Sequence, residues 1–208
     1  MMQSLFRPAA CLLILAFSAI TAFGQGSADA VPAEKLFAAM DLHEGSTVCE
    51  VGAGDGQMSI KAARLVGPQG RVYANELGDS KAGKLRDKIT AAGLASITVV
   101  SGEATRTNFP DETCDALFLR DVYHHFSNPA AMNRSIAASL KLGGRVAVVD
   151  FRPPGREADQ PADRGKDGMH GVTADTVSRE LKEAGLEPVS APASGSRWFM
   201  VVFAKPKS

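Results

Sequence analysis

The chain has 208 residues, and its 23 Lys and Arg residues balance its 23 Asp and Glu residues, so its formal net charge is zero. That balance gives no electrostatic reason to bind nucleic acid or an anionic membrane surface. The length suits one domain with a single hydrophobic core.

The first predicted element is an apolar segment at residues 9–23, which follows one cation, Arg7, and precedes small residues suited to cleavage. These fifteen residues, which include the polar Ser18 and Thr21, are too few to cross about 30 Å of hydrocarbon, and this order of features is typical of a secretory signal peptide. We predict a signal peptide over residues 1–24, with cleavage after residue 30 as the alternative. The protein is then expected to be exported, periplasmic or secreted, with no membrane span after cleavage.

From residue 31 onward, short apolar strands alternate with segments of helical period, which is typical of a parallel sheet with helices on both faces. A leading helix is predicted with Pro32 in its first turn, ahead of five strand segments: STVCEV, RVYANE, SITVVSG, CDALFLRD and RVAVVDF. The helices among them are QMSIKAARLV, residues 80–92 and residues 129–143. The first of these three is expected to bury Leu65 together with Ala62 and Val66.

The alternation stops at residues 152–172, which are rich in Pro, Gly and charge and are predicted to form a long loop. A helix with Thr173 as its cap and Gly185 at its end follows. The last two strands, LEPVSAP and RWFMVVFAKP, are separated only by ASGS, so we expect an antiparallel hairpin. Residues 31–208 are therefore predicted to be a single domain.

Two cysteines, Cys49 and Cys114, remain after the predicted cleavage. Cysteines of exported proteins commonly pair, but Cys49 falls late in one predicted strand and Cys114 just before another. In regular strands that rise about 3.3 Å per residue, their separation exceeds the limit of roughly 7 Å for a disulfide. We expect both thiols to be reduced and buried.

The most informative segment is CEVGAGDGQ, in which Glu50 ends a strand and Gly52, Gly54 and Gly56 precede a helix. Glycines let the backbone turn tightly and let a ligand approach, and the start of the helix offers free N–H groups. The dinucleotide fingerprint G-x-G-x-x-G would require glycine at Gln57. The turn therefore departs from the pattern of nicotinamide-dependent enzymes.

Acidic residues also end the next two predicted strands. Glu76 lies about 20 residues past the glycines, where a carboxylate can accept hydrogen bonds from both hydroxyls of a ribose. Glu103 can accept from the exocyclic amine of a nucleobase. Each carboxylate alone is ordinarily a solvated loop residue, but three at consecutive strand ends favour one ligand-binding crevice.

In order and spacing, these segments resemble the motifs of class I S-adenosylmethionine-dependent methyltransferases. The resemblance includes two further segments, SGEATRTNFPDETCDALFLRDVYHHF and LKLGGRVAVVDF. They are most similar to the small-molecule branch that includes quinone-biosynthesis methyltransferases and predicted methyltransferases exported by bacteria. The resemblance covers residues 31–204. It implies an α/β fold, a Rossmann-like three-layer sandwich whose seven-stranded, mostly parallel sheet has the order 3-2-1-4-5-7-6, with the last strand antiparallel.

The resemblance also implies S-adenosyl-L-methionine as the cofactor and methyl transfer to an unidentified small molecule as the activity. It assigns the cofactor to residues at the strand ends: the methionine part to Glu50, Gly52, Ala53, Gly54 and Gly56, the ribose to Glu76 with Leu77, the adenine to Glu103 and Ala104, and the sulfonium region to Arg120 and Asp121.

Candidate general bases follow the fourth strand and lie in the long loop. Histidine titrates near neutrality, so His125 and His170 are candidates, together with Tyr123. The alternative interpretation is structural: one residue of the adjacent pair packs under the following helix and the other is solvated, with His124 as the more buried.

We expect no metal. Asp121 and Asp150 end adjacent strands and two carboxylates can hold Mg²⁺, but Phe151 stands where an asparagine would be the third ligand. Two other functions stay open: a non-catalytic envelope protein that binds S-adenosylmethionine or a nucleoside, and a nicotinamide-dependent oxidoreductase, which Gln57 and the final hairpin argue against. The sequence specifies neither the methyl acceptor nor the oligomeric state.

Overall fold

The computed structural model describes residues 31–194 and 197–208, so the predicted signal peptide and both cleavage points lie outside the described residues. Within these ranges the helices are α1 Ala33–Ala39, α2 Gln57–Val66, α3 Asp79–Ala91, α4 Pro129–Ser139 and α5 Ala174–Glu183. The strands are β1 Thr47–Val51, β2 Arg71–Leu77, β3 Ile97–Gly102, β4 Cys114–Arg120, β5 Leu140–Phe151, β6 Glu187–Pro188, β7 Ala193–Ser194 and β8 Trp198–Ala204. Short 3₁₀ helices cover Tyr123–His125 and Pro161–Asp163.

The strands form one sheet in the order β3-β2-β1-β4-β5-β8-β6, and the two-residue strand β7 also pairs with β8. Neighbouring strands are parallel from β3 to β5, whereas β8 is antiparallel to both β5 and β6. The predicted fold class is confirmed, and β8 takes the place of the predicted seventh strand. Among the described helices, none is long and apolar enough to cross a membrane.

The sheet is buried on both faces because successive side chains of a strand point to opposite sides. In β4, Leu117 and Leu119 pack with α4 and α5, whereas Ala116 and Phe118 pack with α1, α2 and α3. All four side chains are almost completely buried. The fold is therefore three layers with a separate apolar core on each side of the sheet.

Two helix ends differ in how well the sequence predicts them. The Thr173 hydroxyl accepts a hydrogen bond from the Thr176 N–H at 3.2 Å, so the predicted cap of α5 is confirmed. Helix α4 ends at Ser139 rather than near Gly143, because the backbone is already extended at Leu140.

The predicted inner face of α2 is partly wrong. Leu65 is 40% exposed, and the buried positions of the helix are Ser59, Ala62, Ala63 and Val66. These four positions form a stripe of small residues three or four apart, which lets α2 approach the sheet closely. Leu65 lies about 100° away from Val66 around the helix and falls outside that stripe.

The long loop at residues 152–172 is closed at its base. The N–H of Val172 donates to the carbonyl of Phe151 at 3.0 Å, and the N–H of Gly171 donates to the carbonyl of Arg164 at 3.0 Å. Gly171 has a φ of 128°, and a Cβ there would lie only 2.6 Å from the Phe151 carbonyl oxygen. The loop therefore returns to the end of β5 at a point where only glycine fits.

The expectation of two reduced cysteines is wrong. Cys49 in β1 and Cys114 at the start of β4 form a disulfide, their Cα atoms are 5.9 Å apart, and both residues are fully buried. The expected separation assumed regular strands, but the pairing of β4 with β5 shifts register between Cys114 and Ala116. Because of that irregularity, the start of β4 does not follow the regular rise per residue.

We predict that the full chain, denatured without reductant, contains one free thiol, that of Cys11, and three after reduction. A Cys11→Ser variant should give none before reduction and two afterwards. The disulfide spans 65 residues, and in the chain-entropy description a loop of that size stabilises the fold by about 4 kcal/mol. Titration with a thiol reagent measures the count, and three thiols before reduction would contradict the pairing.

Candidate active site

A crevice of about 960 Å³ lies at the carboxyl ends of the parallel strands β1, β2, β3 and β4. This is within the range of roughly 300–1,000 Å³ that is usual for small-molecule sites. Ten of the eleven predicted cofactor-binding residues line it, namely Glu50, Gly52, Ala53, Gly54, Glu76, Leu77, Glu103, Ala104, Arg120 and Asp121. The strand-end residues thus meet at one edge of the sheet, as expected for this topology.

Gly56 is the predicted cofactor residue that does not line the crevice. All three glycines of the turn have positive φ, at 71° for Gly52, 57° for Gly54 and 79° for Gly56. A Cβ on Gly56 would lie 2.8 Å from Cδ1 of Leu85, whereas a Cβ on Gly54 would meet no protein atom within 4 Å. Gly56 therefore lets the turn pack against α3, and Gly54 leaves open the space that a ligand needs.

The Glu76 carboxylate is fixed by the same turn. Its Oε1 accepts from the N–H of Gly54 at 2.5 Å, and its Oε2 accepts from the N–H of Leu77 at 3.2 Å. A carboxylate has about four lone-pair positions, so each oxygen keeps capacity for one further donor. That capacity matches the two hydroxyls of a ribose.

Glu103 is the outermost of the three carboxylates and is exposed. Its Oε1 accepts from Nδ2 of Asn108 at 3.2 Å, and the same Asn108 nitrogen donates to the Ser101 carbonyl at 2.9 Å. The contact holds Glu103 against the crevice while its other oxygen stays open to a donor such as an aromatic amine.

Asn75 is a crevice residue that the sequence analysis missed. It is buried, its Oδ1 accepts from the N–H of Gly52 at 3.0 Å, and its Nδ2 donates to the Thr107 carbonyl at 2.7 Å. A polar residue at a buried strand position, directly before Glu76, was the available signal. Asn75 joins the glycine turn to the segment after β3.

Glu50 is buried at the end of β1 and still lines the crevice. Its Oε2 accepts a hydrogen bond from the Ser59 hydroxyl. Burial raises the pKa of Glu50 from 4.5 to about 8, although the hydrogen bond from Ser59 opposes the shift. At neutral pH this carboxyl group is therefore mostly protonated, and a cation placed beside it would favour its ionised form.

Arg120 and Asp121 form the wall contributed by β4. Nη1 of Arg120 donates to the Val31 carbonyl at 2.9 Å, which ties the chain ahead of α1 to the crevice. Asp121 has a φ of 62°, a left-handed conformation that is strained for a residue other than glycine. Such strain is common at ligand-binding sites, and here it turns the chain sharply at the end of β4.

The three candidate bases lie in different surroundings. His125 is exposed and lines the crevice, and its pKa is lowered by partial burial and by the neighbouring His124 and His170. Tyr123 is fully buried and lies outside the crevice lining, and burial raises its pKa. Tyr123 is therefore removed from the candidates, because its hydroxyl contacts no space that a substrate could occupy.

Tyr123 instead belongs to a buried polar network. Its hydroxyl donates to Oε2 of Glu180 at 2.9 Å and accepts from Nδ2 of Asn133 at 2.7 Å. Arg164 of the long loop donates to the two oxygens of Glu180 at 3.2 and 2.6 Å. The network joins the long loop and the 3₁₀ helix after β4 to α4 and α5.

His170 does not line the crevice but contacts the histidines that follow β4. Its Nε2 lies 3.0 Å from Nε2 of His124, whose Nδ1 lies 2.9 Å from Oδ1 of Asp150. His124 is buried and His125 is exposed. One ring nitrogen from each of His124, His125 and His170 lies within 4.8 Å of the others, and we call these residues the histidine cluster.

Solved structures share this fold. The chain aligns with a SAM dependent methyltransferase from Aquifex aeolicus at a TM-score of 0.71 and 24% identity, covering 85% of this chain and 90% of that one. It aligns equally well, at a TM-score of 0.71 and 18% identity, with the [4+2]-cyclase SpnF, covering 85% of this chain and 80% of that one. Likeness at these identities describes the fold alone.

Sequence relatives cover part of the chain. It is 31% identical over 114 residues to the ubiquinone/menaquinone biosynthesis C-methyltransferase UbiE of Pseudomonas putida, which is 54% of this chain and 44% of that protein. It is 36% identical over 118 residues to the UbiE of Teredinibacter turnerae, covering 54% of this chain and 46% of that protein. The match therefore spans less than half the length of these relatives.

The family Methyltransf_11, described as a methyltransferase domain, matches residues 49–148. That segment runs from β1 into β5 and contains the glycine turn and all three strand-end carboxylates. Together with the sheet order and the crevice, the match identifies residues 49–148 as a domain of the class I S-adenosylmethionine-dependent methyltransferases, whose cofactor is S-adenosyl-L-methionine.

Proposed function

We propose that the chain binds S-adenosyl-L-methionine in the crevice and transfers its methyl group to a small-molecule acceptor. The observation that carries the proposal is the meeting of Glu50, Glu76 and Glu103 around one cavity of about 960 Å³, beside the glycine turn. Family membership supports the cofactor. The balanced charge of the chain supports a small acceptor rather than a nucleic acid.

The cofactor supplies a methyl group on a positively charged sulfur, which a nucleophile can displace. The residues of the chain mainly position the reactants, since alignment at about 3–3.5 Å removes much of the barrier. Glu76 and Glu103 are suited to the ribose hydroxyls and the adenine amine, and the glycine turn leaves room for the methionine part. His125 lines the crevice, and burial lowers its pKa and so favours the neutral imidazole, which can accept a proton from the acceptor.

We also propose that the chain is exported by residues 1–24. The buried disulfide between Cys49 and Cys114 supports an oxidising compartment, where such bonds persist. Fractionation of cells that express a full-length chain with a C-terminal tag should find the shortened protein outside the cytoplasm. Uncleaved protein found only with cytoplasmic markers would contradict export.

We predict that the full chain binds S-adenosylhomocysteine, measured by calorimetry. Glu76→Ala should weaken binding at least about 100-fold, because two hydrogen bonds to a charged group are lost at about 1.5 kcal/mol or more each. Glu34→Ala is the matched control: Glu34 is exposed on α1, away from the crevice, so affinity should not change. A parent protein that does not bind would refute the proposed function.

Binding alone does not separate an enzyme from a non-catalytic binding protein, and the fold is shared with a cyclase. Methyl transfer from labelled cofactor to a panel of phenols, thiols and amines makes that separation. We expect a methylated product together with S-adenosylhomocysteine. Tight binding without product from any acceptor class would favour the binding protein.

We predict that Glu50→Gln stabilises the free protein and weakens cofactor binding. Between pH 4.5 and about 8, folded Glu50 keeps a proton that the unfolded chain releases, so ionisation lowers the free energy of unfolding as pH rises. The stability gained by the variant should therefore grow by about 1.4 kcal/mol per pH unit across this window and then level off. Thermal unfolding from pH 5 to 9 measures it, with Glu34→Gln as the control, and a gain independent of pH would contradict the assignment.

A further inference from the structure

Three of the four histidines in the chain meet beside the crevice. His124 and His125 follow β4, whereas His170 comes from the end of the long loop. The ring centroid of His124 lies 4.0 Å from that of His125 and 4.7 Å from that of His170. Methyl transfer with His125 as the base gives no role to the other two.

The arrangement around His124 defines which of its nitrogens is free. Asp150 is an acceptor, so the Nδ1 of His124, 2.9 Å from it, carries the hydrogen and Nε2 carries the lone pair. That Nε2 lies 3.0 Å from Nε2 of His170. Two nitrogen ligands at 2.0–2.1 Å from a tetrahedral zinc ion are about 3.3 Å apart, so the two imidazoles are close to ligand geometry.

The histidine cluster is held from several sides. Oδ2 of Asp150 accepts from the backbone N–H of His124 at 3.1 Å, so one carboxylate orients both the ring and the main chain. The Phe151 ring packs 4.9 Å from the ring of His124 and 5.1 Å from that of His170. A carboxylate behind a histidine and an apolar shell around it are the usual supports of a metal ligand.

We propose that His124, His125 and His170 bind one Zn²⁺ ion at the edge of the cofactor crevice. Neutral imidazoles are preferred ligands of this class of ion, and three protein ligands leave a fourth position open. His125 and Asp121 both line the crevice, so the open position adjoins it. Asp150 acts as the support of His124 and not as a ligand.

The role of the ion rests on the proposed methyl transfer. With the ion bound, His125 is a ligand and the ion takes over its role in deprotonating the acceptor. An acceptor hydroxyl or thiol bound at the fourth position loses its proton to water more easily, as zinc-bound water does when its pKa falls from 15.7 to about 7. The resulting anion forms a bond to the methyl carbon with its own electron pair. The carbon–sulfur bond breaks with its pair left on sulfur, giving methylated acceptor, S-adenosylhomocysteine and one released proton.

The test is titration of the untagged full chain with Zn²⁺ by calorimetry against a competing chelator, with metal content measured by mass spectrometry. We expect one ion per chain, and the visible absorption of tetrahedral Co²⁺ when Co²⁺ replaces it. His125→Ala and His170→Ala should each weaken Zn²⁺ binding at least about 100-fold, and Asp150→Asn by about 10–100-fold. The control is His43→Ala, which removes an exposed histidine outside the cluster and should change nothing.

Retained S-adenosylhomocysteine affinity in His170→Ala shows that this variant is folded. A parent chain that binds S-adenosylhomocysteine but no stoichiometric Zn²⁺ overturns the metal site and leaves the proposed function intact. Undiminished Zn²⁺ affinity in folded His170→Ala, or an equal loss in His43→Ala, also overturns it. A parent that binds Zn²⁺ at the cluster but not S-adenosylhomocysteine supports the metal site and rejects the proposed function.

Discussion

One buried amide, the side chain of Asn75, holds the cofactor crevice together. It accepts from the glycine turn after β1 and donates to the segment after β3, while the Asn75 carbonyl accepts from the N–H of Ala53 at 2.8 Å. The turns after β1 and β3 are thereby fixed to β2 by hydrogen bonds that water cannot replace inside the fold. The spacing of Glu50, Glu76 and Glu103 depends on this connection.

The opposite side of the crevice depends on a different buried group, the carboxylate of Glu180. Glu180 accepts hydrogen bonds from Arg164 of the long loop and from Tyr123 of the segment after β4, so it holds these two distant parts of the chain next to each other. A loop rich in Pro and Gly would otherwise leave His170 without a defined place. The geometry of the histidine cluster therefore depends on α5, which carries Glu180, as well as on the segments that carry the histidines.

Most element positions could be predicted because they follow from local periods: apolar runs for buried strands, three-to-four spacing for helices, and glycine where the backbone turns. The sheet order was expected only from the resemblance to class I methyltransferases, because local periods do not say which strands are neighbours. The strand-end carboxylates were predictable for the same reason, since a parallel sheet brings its carboxyl ends together. Contacts that depend on an irregular strand, or on segments far apart in the sequence, could not be predicted. The disulfide depends on a register shift in β4, and the ion pair of Arg164 with Glu180 depends on the path of the long loop.

The disulfide also changes how the chain is connected. Residues 49–114 contain Glu50, the glycine turn, Glu76 and Glu103, so the part of the chain that forms most of the crevice is a closed covalent ring. A protease that cuts once inside the ring separates no fragment, because the two pieces stay joined through sulfur. Both sides of the crevice therefore stay together after a nick, for as long as the surroundings stay oxidising.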